Sequence, residues 1–391
     1  MIKYIISIFK KLALSFGYTF WRTRKAIALI LIMLSRAKTL IHQEFKNILF
    51  HLKLTKNKRE ILDYSKQVIL SKEKPIIFVS VCEDIINAGG PKYNGGIKEL
   101  NNLVKLLRSK GYESYIVTYD GNFENWLIDH QAHISLPDFK DMIVKTKNYR
   151  CITSWIIAEA FLKECQEFYF WDMELAATNN KHFHKLSKYM RSKRLKNVAG
   201  ISRTIQAWYM TSFQKNCYVI PNLIDRTIWF PEPLQRIENR IGYMHEGEHT
   251  DLFVKKIESI TKKSNLNLEF IKLSGDEKKI LDLMRTCNIY LSLNIGKDEL
   301  FGEGCPRTII ESMAAGCINI SFDLIGNKEV VINNYTGFIV NNKTTNSMGE
   351  MLCKLYKENN FEYYRSNVKS LFDKVHNFES RWSSVKSFLQ L

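Results

Sequence analysis

Several absences narrow the reading of this chain before any motif is considered. The nine-residue apolar run Ala26 to Leu34 is bounded by Lys25 and Arg36 and falls well short of the ~20 residues that cross a bilayer. It is not expected to span a membrane. A secretory signal would need a small-residue cleavage site after such a stretch, and Ser35-Arg36-Ala37-Lys38 is a poor one. The eight cysteines include no Cys-x-x-Cys pair and no disulfide-like spacing, so they read as reduced thiols of a cytosolic protein. No His-Glu-x-x-His and no Cys/His cluster of zinc spacing occurs, and neither a metal site nor a resident cofactor is expected. Repeats and low-complexity tracts are missing as well.

Of the 391 residues, 45% are hydrophobic, enough for two domains, since single cores stop growing at a few hundred residues. The formal net charge of +17 predicts attraction to anions. Residues 1 to 60 hold 13 Lys or Arg against only Glu44 and Glu60. Their bases alternate with apolar residues such as Ile5, Ile8, Phe9 and Trp21. This pattern suits helices lying in the interface of an anionic membrane through residues 1–45. Packing against the chain's own domains or a partner subunit is the plainer alternative. No nucleic-acid motif appears. The expected location is cytoplasmic, peripheral at the inner face of a membrane.

From Lys74 onward, short β-branched or aromatic runs alternate with amphipathic stretches, the pattern of parallel α/β units. Ile76 to Val81 reads as a first strand. The Gly-rich loop Ala88 to Gly96 and a helix marked by Ile97, Leu100, Leu103, Val104 and Leu107 follow it. Further strands are expected at 114–118, 168–171, 197–201 and 218–221. A second series is expected at 241–244, 268–273, 289–293, 317–321 and 337–340. Pro231 and Pro233 mark a linker. The expected organisation is a basic helical segment 1–72, a Rossmann-like domain 73–225, a linker 226–238 and a second Rossmann-like domain 239–362. A C-terminal helix 363–391 then packs back on the first domain.

The segment 291–340 carries the densest chemistry. Glu303 falls in a loop after a strand, and Glu311 stands eight positions later on the helix Thr308 to Gly316. Both carboxylates would face the crevice at the carboxyl ends of the strands, where open α/β sheets bind ligands. Pro306 suits the start of that helix, and the amides there suit a diphosphate. Considered singly, each glutamate could equally be a solvated surface residue.

In order, these blocks resemble the large retaining, GT-B-type glycosyltransferase family 4. The match comprises Glu303, Gly304, Pro306, Glu311, Met313, Ala314 and Gly316, followed by Gly326 to Val331 and Thr336 to Val340. Upstream, Ile220 to Asp225 with Phe230-Pro231 is similar to its interdomain signature, and Gly95-Gly96 to its donor-phosphate loop. The resemblance implies a GT-B fold, two Rossmann-like doubly wound domains facing a central cleft. It also implies transfer of a sugar from a nucleotide sugar to a glycan or lipid-linked acceptor with retention. Glu311 would hold the donor ribose and Glu303 would contact the transferred sugar. Gly95, Gly96, Gly304, Cys305, Pro306 and Arg307 would line the donor phosphates. Phe168 to Glu174, with Thr153, Ser154 and Trp155, is similar to a subset that includes rhamnosyltransferases, and Asp172 and Glu174 there would bind acceptor hydroxyls or act catalytically on the attacking one.

One departure stands out. The basic pair that the family places after the first strand of its second domain is replaced by His245-Glu246-Gly247-Glu248-His249. Arg307 is the preferred substitute, with Lys255, Lys256 and His249 behind it. Two other functions fit less well, a nucleotide-sugar epimerase and an inactive transferase-like binding subunit.

Overall fold

The computed structural model describes residues 74–80, 95–122, 126–154, 159–173, 180–229, 236–245, 249–295, 305–341 and 343–391. The basic N-terminal segment 1–72, Glu174, Glu303, Gly304 and the prolines of the linker lie outside them.

The first sheet is built from β1 (Ile76–Ser80), β2 (Ser114–Thr118), β3 (His133–Ser135), β4 (Tyr149–Ser154), β5 (Phe168–Asp172), β6 (Leu195–Gly200) and β7 (Cys217–Val219). All its strands run parallel, in the order β3-β2-β1-β4-β5-β6-β7. β1, β2 and β5 are buried at every position, as expected of a parallel sheet covered by helices on both faces. Those helices are α1 (Gly95–Ser109), α2 (Leu136–Lys145), α3 (Glu159–Glu164), α4 (Asn180–Met190) and α5 (Arg203–Phe213). α1 buries Leu100, Leu103, Val104 and Leu107, the stripe expected from the sequence.

A short helix, α6 (Arg226–Trp229), leads toward the second sheet. Its strands are β8 (Ile237–Tyr243), β9 (Glu269–Lys272), β10 (Cys287–Ser292), β11 (Ile318–Phe322) and β12 (Gly337–Val340). They too are all parallel, in the order β12-β11-β10-β8-β9. α7 (Thr250–Lys263), α8 (Glu277–Thr286), α9 (Arg307–Ala314), α10 (Ile325–Lys328) and α11 (Thr345–Glu358) connect and flank them.

Two strands escaped the sequence reading. β3 is three residues long, and β4 opens on Tyr149-Arg150 with only Cys151 and Ile152 as an apolar pair. Neither shows the run of apolar residues by which the other strands are recognised. The C-terminal stretch, expected as one helix, is two: α12 (Phe361–Val375) and α13 (Phe378–Leu389). The break is local chemistry, because the Asn377 side chain accepts from the Ser380 amide and caps the second helix. α13 is tied to the first sheet by Asn197 Nδ2, which donates to the Phe388 carbonyl at 2.7 Å, and by Arg150 Nε, which donates to the Leu389 carbonyl at 3.3 Å.

Strand order reverses between β1 and β4 in the first sheet and between β8 and β10 in the second. Helices that follow β1 and β10 therefore start at the switch points, where ligands of doubly wound sheets bind. α9 is also fixed at its other end. Gly316 has φ +81°, and a Cβ there would stand 2.2 Å from Arg236 Nη2, whose guanidinium donates to the Ala315 and Cys287 carbonyls at 2.6 and 2.8 Å. Only glycine fits this C-terminal turn.

Candidate functional site

Two helix starts meet between the sheets. α1 opens at Gly95-Gly96 with no acid in its first turn, and α9 opens at Arg307 behind Pro306, with no side chain capping it. A Cβ on Gly95 would lie 3.5 Å from Arg307 Cδ, so the two first residues face each other. The first N–H groups of a helix lack intrahelical partners and carry the positive end of its dipole. Two such ends converging suit an anion.

A buried ionic cluster surrounds this point. Lys98 Nζ, in the first turn of α1, reaches Glu311 Oε1 at 2.9 Å and Glu277 Oε1 at 3.2 Å. Arg307 Nε donates to Glu311 Oε1 at 2.7 Å, its Nη1 donates to the Leu223 carbonyl at 3.2 Å, and the same guanidinium pairs with Glu99. Glu99 Oε2 in turn accepts from the Leu223 amide at 2.7 Å, and Asn102 Nδ2 donates to the Leu223 carbonyl at 2.7 Å. None of the five charged residues is more than 7% exposed. Burial alone would raise the Glu311 carboxyl, but the charges and hydrogen bonds of Lys98 and Arg307 outweigh it and hold the group below its usual range. Burial also lowers the Arg307 guanidinium, with Glu311 offsetting part of the effect.

Further bonds join segments of the two sheets. Asn222 Nδ2 donates to the Cys305 carbonyl at 2.7 Å. The Thr204 amide and hydroxyl, at the start of α5, donate to Glu329 Oε1 at 2.9 and 2.7 Å.

The structure thus brings together Gly95, Arg307 and Glu311, with Gly96, Cys305 and Pro306 beside them in the chain. Asp172 stands apart, buried at the carboxyl end of β5, where its Oδ2 accepts from the Tyr209 hydroxyl at 2.7 Å. Arg307, the expected phosphate ligand, directs Nε to Glu311 and Nη1 to the Leu223 carbonyl, and its guanidinium pairs with Glu99. Of the other substitutes, Lys255 and Lys256 lie exposed on α7. His249 Nε2 is 3.0 Å from the Leu293 carbonyl at the start of that helix. Lys98, Glu99 and Glu277 were missed. The available signal was the Lys98-Glu99 pair set among the buried residues of α1, directly after Gly95-Gly96.

Residues 242–369 match the family described as glycosyl transferases group 1. No curated protein matches the chain by sequence. Solved structures do match it by fold. A glycosyltransferase from Rickettsia africae is 15% identical, with a TM-score of 0.62 over 81% of this chain and 99% of its own. HepE of Anabaena in complex with UDP-glucose is 12% identical, with a TM-score of 0.58 over 81% of this chain and 100% of its own. The pneumococcal O-GlcNAc transferase GtfA in complex with UDP and GlcNAc is 11% identical, with a TM-score of 0.58 over 81% of this chain and 99% of its own. Two parallel doubly wound sheets, as in these structures, give this chain the GT-B fold.

Proposed function

We propose that this protein is a retaining glycosyltransferase of family 4 type, which moves a sugar from a nucleoside-diphosphate donor to a glycan or lipid-linked acceptor. The observation that carries the proposal is the meeting of the α1 and α9 starts beside the buried Glu311 carboxylate, with α9 and Glu311 inside the segment that matches the group 1 family. Loss of a nucleoside diphosphate from the anomeric carbon builds negative charge on phosphate and positive charge on the sugar ring. Helix amides and dipoles fixed in advance stabilise the first at no cost of reorganisation. A carboxylate kept ionised by Lys98 and Arg307 is acceptor-only and can take both ribose hydroxyls. Glu303 would face the transferred sugar and Gly304 the phosphates, as the spacing implies. The leaving phosphate takes the proton of the attacking hydroxyl on the same face, and the scheme uses no metal ion. Asp172 and Glu174 are assigned to the acceptor side.

HepE and GtfA, which share the fold, are described with UDP-glucose and with UDP and GlcNAc bound, so a uridine diphosphate sugar is the first donor to test. In a thermal-shift panel of nucleotide sugars, a true donor raises the unfolding midpoint in proportion to the logarithm of its concentration above Kd. The same donor should release nucleoside diphosphate when acceptor is supplied. If no nucleotide sugar shifts the midpoint, the proposal fails.

A further inference from the structure

The positive charge of this chain is concentrated in two places. One is residues 1–60; the other is residues 175–224, which contain nine Lys or Arg and not one Asp or Glu. The remaining residues hold 35 bases against 38 acids. The acid-free stretch includes α4, β6 and α5. Lys185 and Lys196 pair with Glu159 and Glu167 of the preceding elements, whereas Lys188, Arg191, Lys193, Arg203 and Lys215 form no ion pair with a described carboxylate.

Apolar side chains stand among these bases. Phe183 of α4 stacks on Phe213 of α5 with ring centroids 5.6 Å apart, and meets Trp208 edge-on at 6.5 Å. These contacts join the two helices, yet Phe183 remains 36% exposed and Met210 51% exposed. On α5 the exposed positions Arg203, Ala207, Met210 and Thr211 recur at helical spacing, so they form one stripe. On α4 and just beyond it, His184, Lys188 and Arg191 are likewise exposed.

We propose that the α4–α5 face docks on an anionic phospholipid surface, with Phe183 and Met210 entering the headgroup boundary and Lys188, Arg191, Arg203 and Lys215 meeting lipid phosphates. Charge selects this occupant. α4 and α5 contribute no carboxylate of their own, and the acids that neighbouring elements bring to them, Glu159 and Glu329, are outnumbered by the bases; aromatic and thioether side chains between bases match a layer that is polar outside and apolar within. A protein partner would be expected to need acids as well as bases for register. The face uses none of the residues of the basic N-terminal segment or of the donor site, so the inference does not depend on the proposed transferase activity.

The test is flotation of the full-length chain with vesicles of phosphatidylcholine, pure or containing phosphatidylglycerol. Wild type should float with the anionic vesicles only. Replacing Lys188, Arg191 and Lys215 together by Gln should weaken that binding on the order of a hundredfold, about fivefold for each base. Met210→Ser should weaken it several-fold more than it weakens binding to heparin, a soluble polyanion. An unchanged UDP-induced thermal shift would show that the variants are folded, and intrinsic fluorescence with far-UV dichroism supplies the same control if UDP does not bind. The inference is overturned if the triple variant floats like wild type. It is equally overturned if wild type binds neutral vesicles as well, or binds heparin but no vesicle.

Discussion

Lys98 illustrates how one residue decides the state of the site. Its ammonium bridges Glu311 and Glu277, and the three side chains are nearly sealed from water. Two carboxylates that close together require a cation, because removing one partner of a buried pair leaves an uncompensated charge worth about 3–5 kcal/mol. Lys98→Met is therefore expected to destabilise the fold by about 3 kcal/mol or more, measured by chemical denaturation. Adding Glu277→Gln should restore part of the loss, and an additive double variant would refute the bridge. Glu311 itself has a second role under the proposed function. With its carboxylate removed, the ribose loses two charge-assisted hydrogen bonds of about 1.5–3 kcal/mol each, so Glu311→Ala should lower kcat/KM by about a hundredfold or more. Steady-state kinetics on the best donor checks this, and a loss below threefold would remove Glu311 from the donor site. Glu311 could be found from sequence because its spacing to Glu303, Pro306 and Gly316 is fixed along one chain segment. Its partner Lys98 is 213 residues away, and its place just after Gly95-Gly96 marks it as noteworthy without showing which carboxylate it meets.

At the scale of elements, the turn between α12 and α13 contains a pH-sensitive pair. Arg381 Nη2 lies 2.7 Å from His376 Nδ1, and both residues are buried. A guanidinium has only donors to offer, so Nδ1 must accept and the imidazole is neutral with its proton on Nε2. Burial, with Arg381 adding to it, pushes the His376 pKa down to about 3. A folded-state value below the unfolded one means that the stabilising contribution is present above pH 6.5 and is lost as pH falls toward 3. Unfolding free energy measured between pH 7 and 4 should fall with a slope approaching one proton, about 1.4 kcal/mol per pH unit. His376→Gln, which keeps an acceptor without a titrating group, should flatten that component, and an unchanged slope would mean the histidine is already accessible to protons. The same turn shows what sequence could and could not reveal about elements. Helical periodicity runs from Phe361 to the C-terminus almost unbroken, and only the capping geometry of Asn377 separates α12 from α13. β5 and β10, by contrast, were legible because FYFWD and CNIYLS are buried along their whole length. Central strand β4 was not, because its burial comes from neighbours rather than from its own composition.

For the whole molecule, several hydrogen bonds and ion pairs join the two sheets around the proposed donor site. Glu311 already meets Lys98 from the opposite domain, Asn222 holds the Cys305 carbonyl, and Glu329 meets the start of α5. The last of these contacts is a charged one that lies outside the buried ionic cluster. The Glu329 carboxylate receives both the amide and the hydroxyl of Thr204, at a helix start whose dipole favours negative charge. Replacing it by Gln keeps the shape and removes the charge, which should favour the open form by about 1 kcal/mol. If opening precedes donor entry, the population of the competent state and the observed association rate rise together, here by about fivefold. Trp126 and Trp229 supply the signal, since the Lys98 ammonium sits 6.0 and 5.2 Å from their ring centres and any separation of α1 from Glu311 changes their surroundings. Stopped-flow tryptophan fluorescence with UDP should therefore show faster association in Glu329→Gln than in wild type, with little change in unfolding free energy. Equal association rates would mean that UDP reaches the α1 and α9 starts without separating the two sheets, and that the contact at Thr204 aligns the domains rather than gating them.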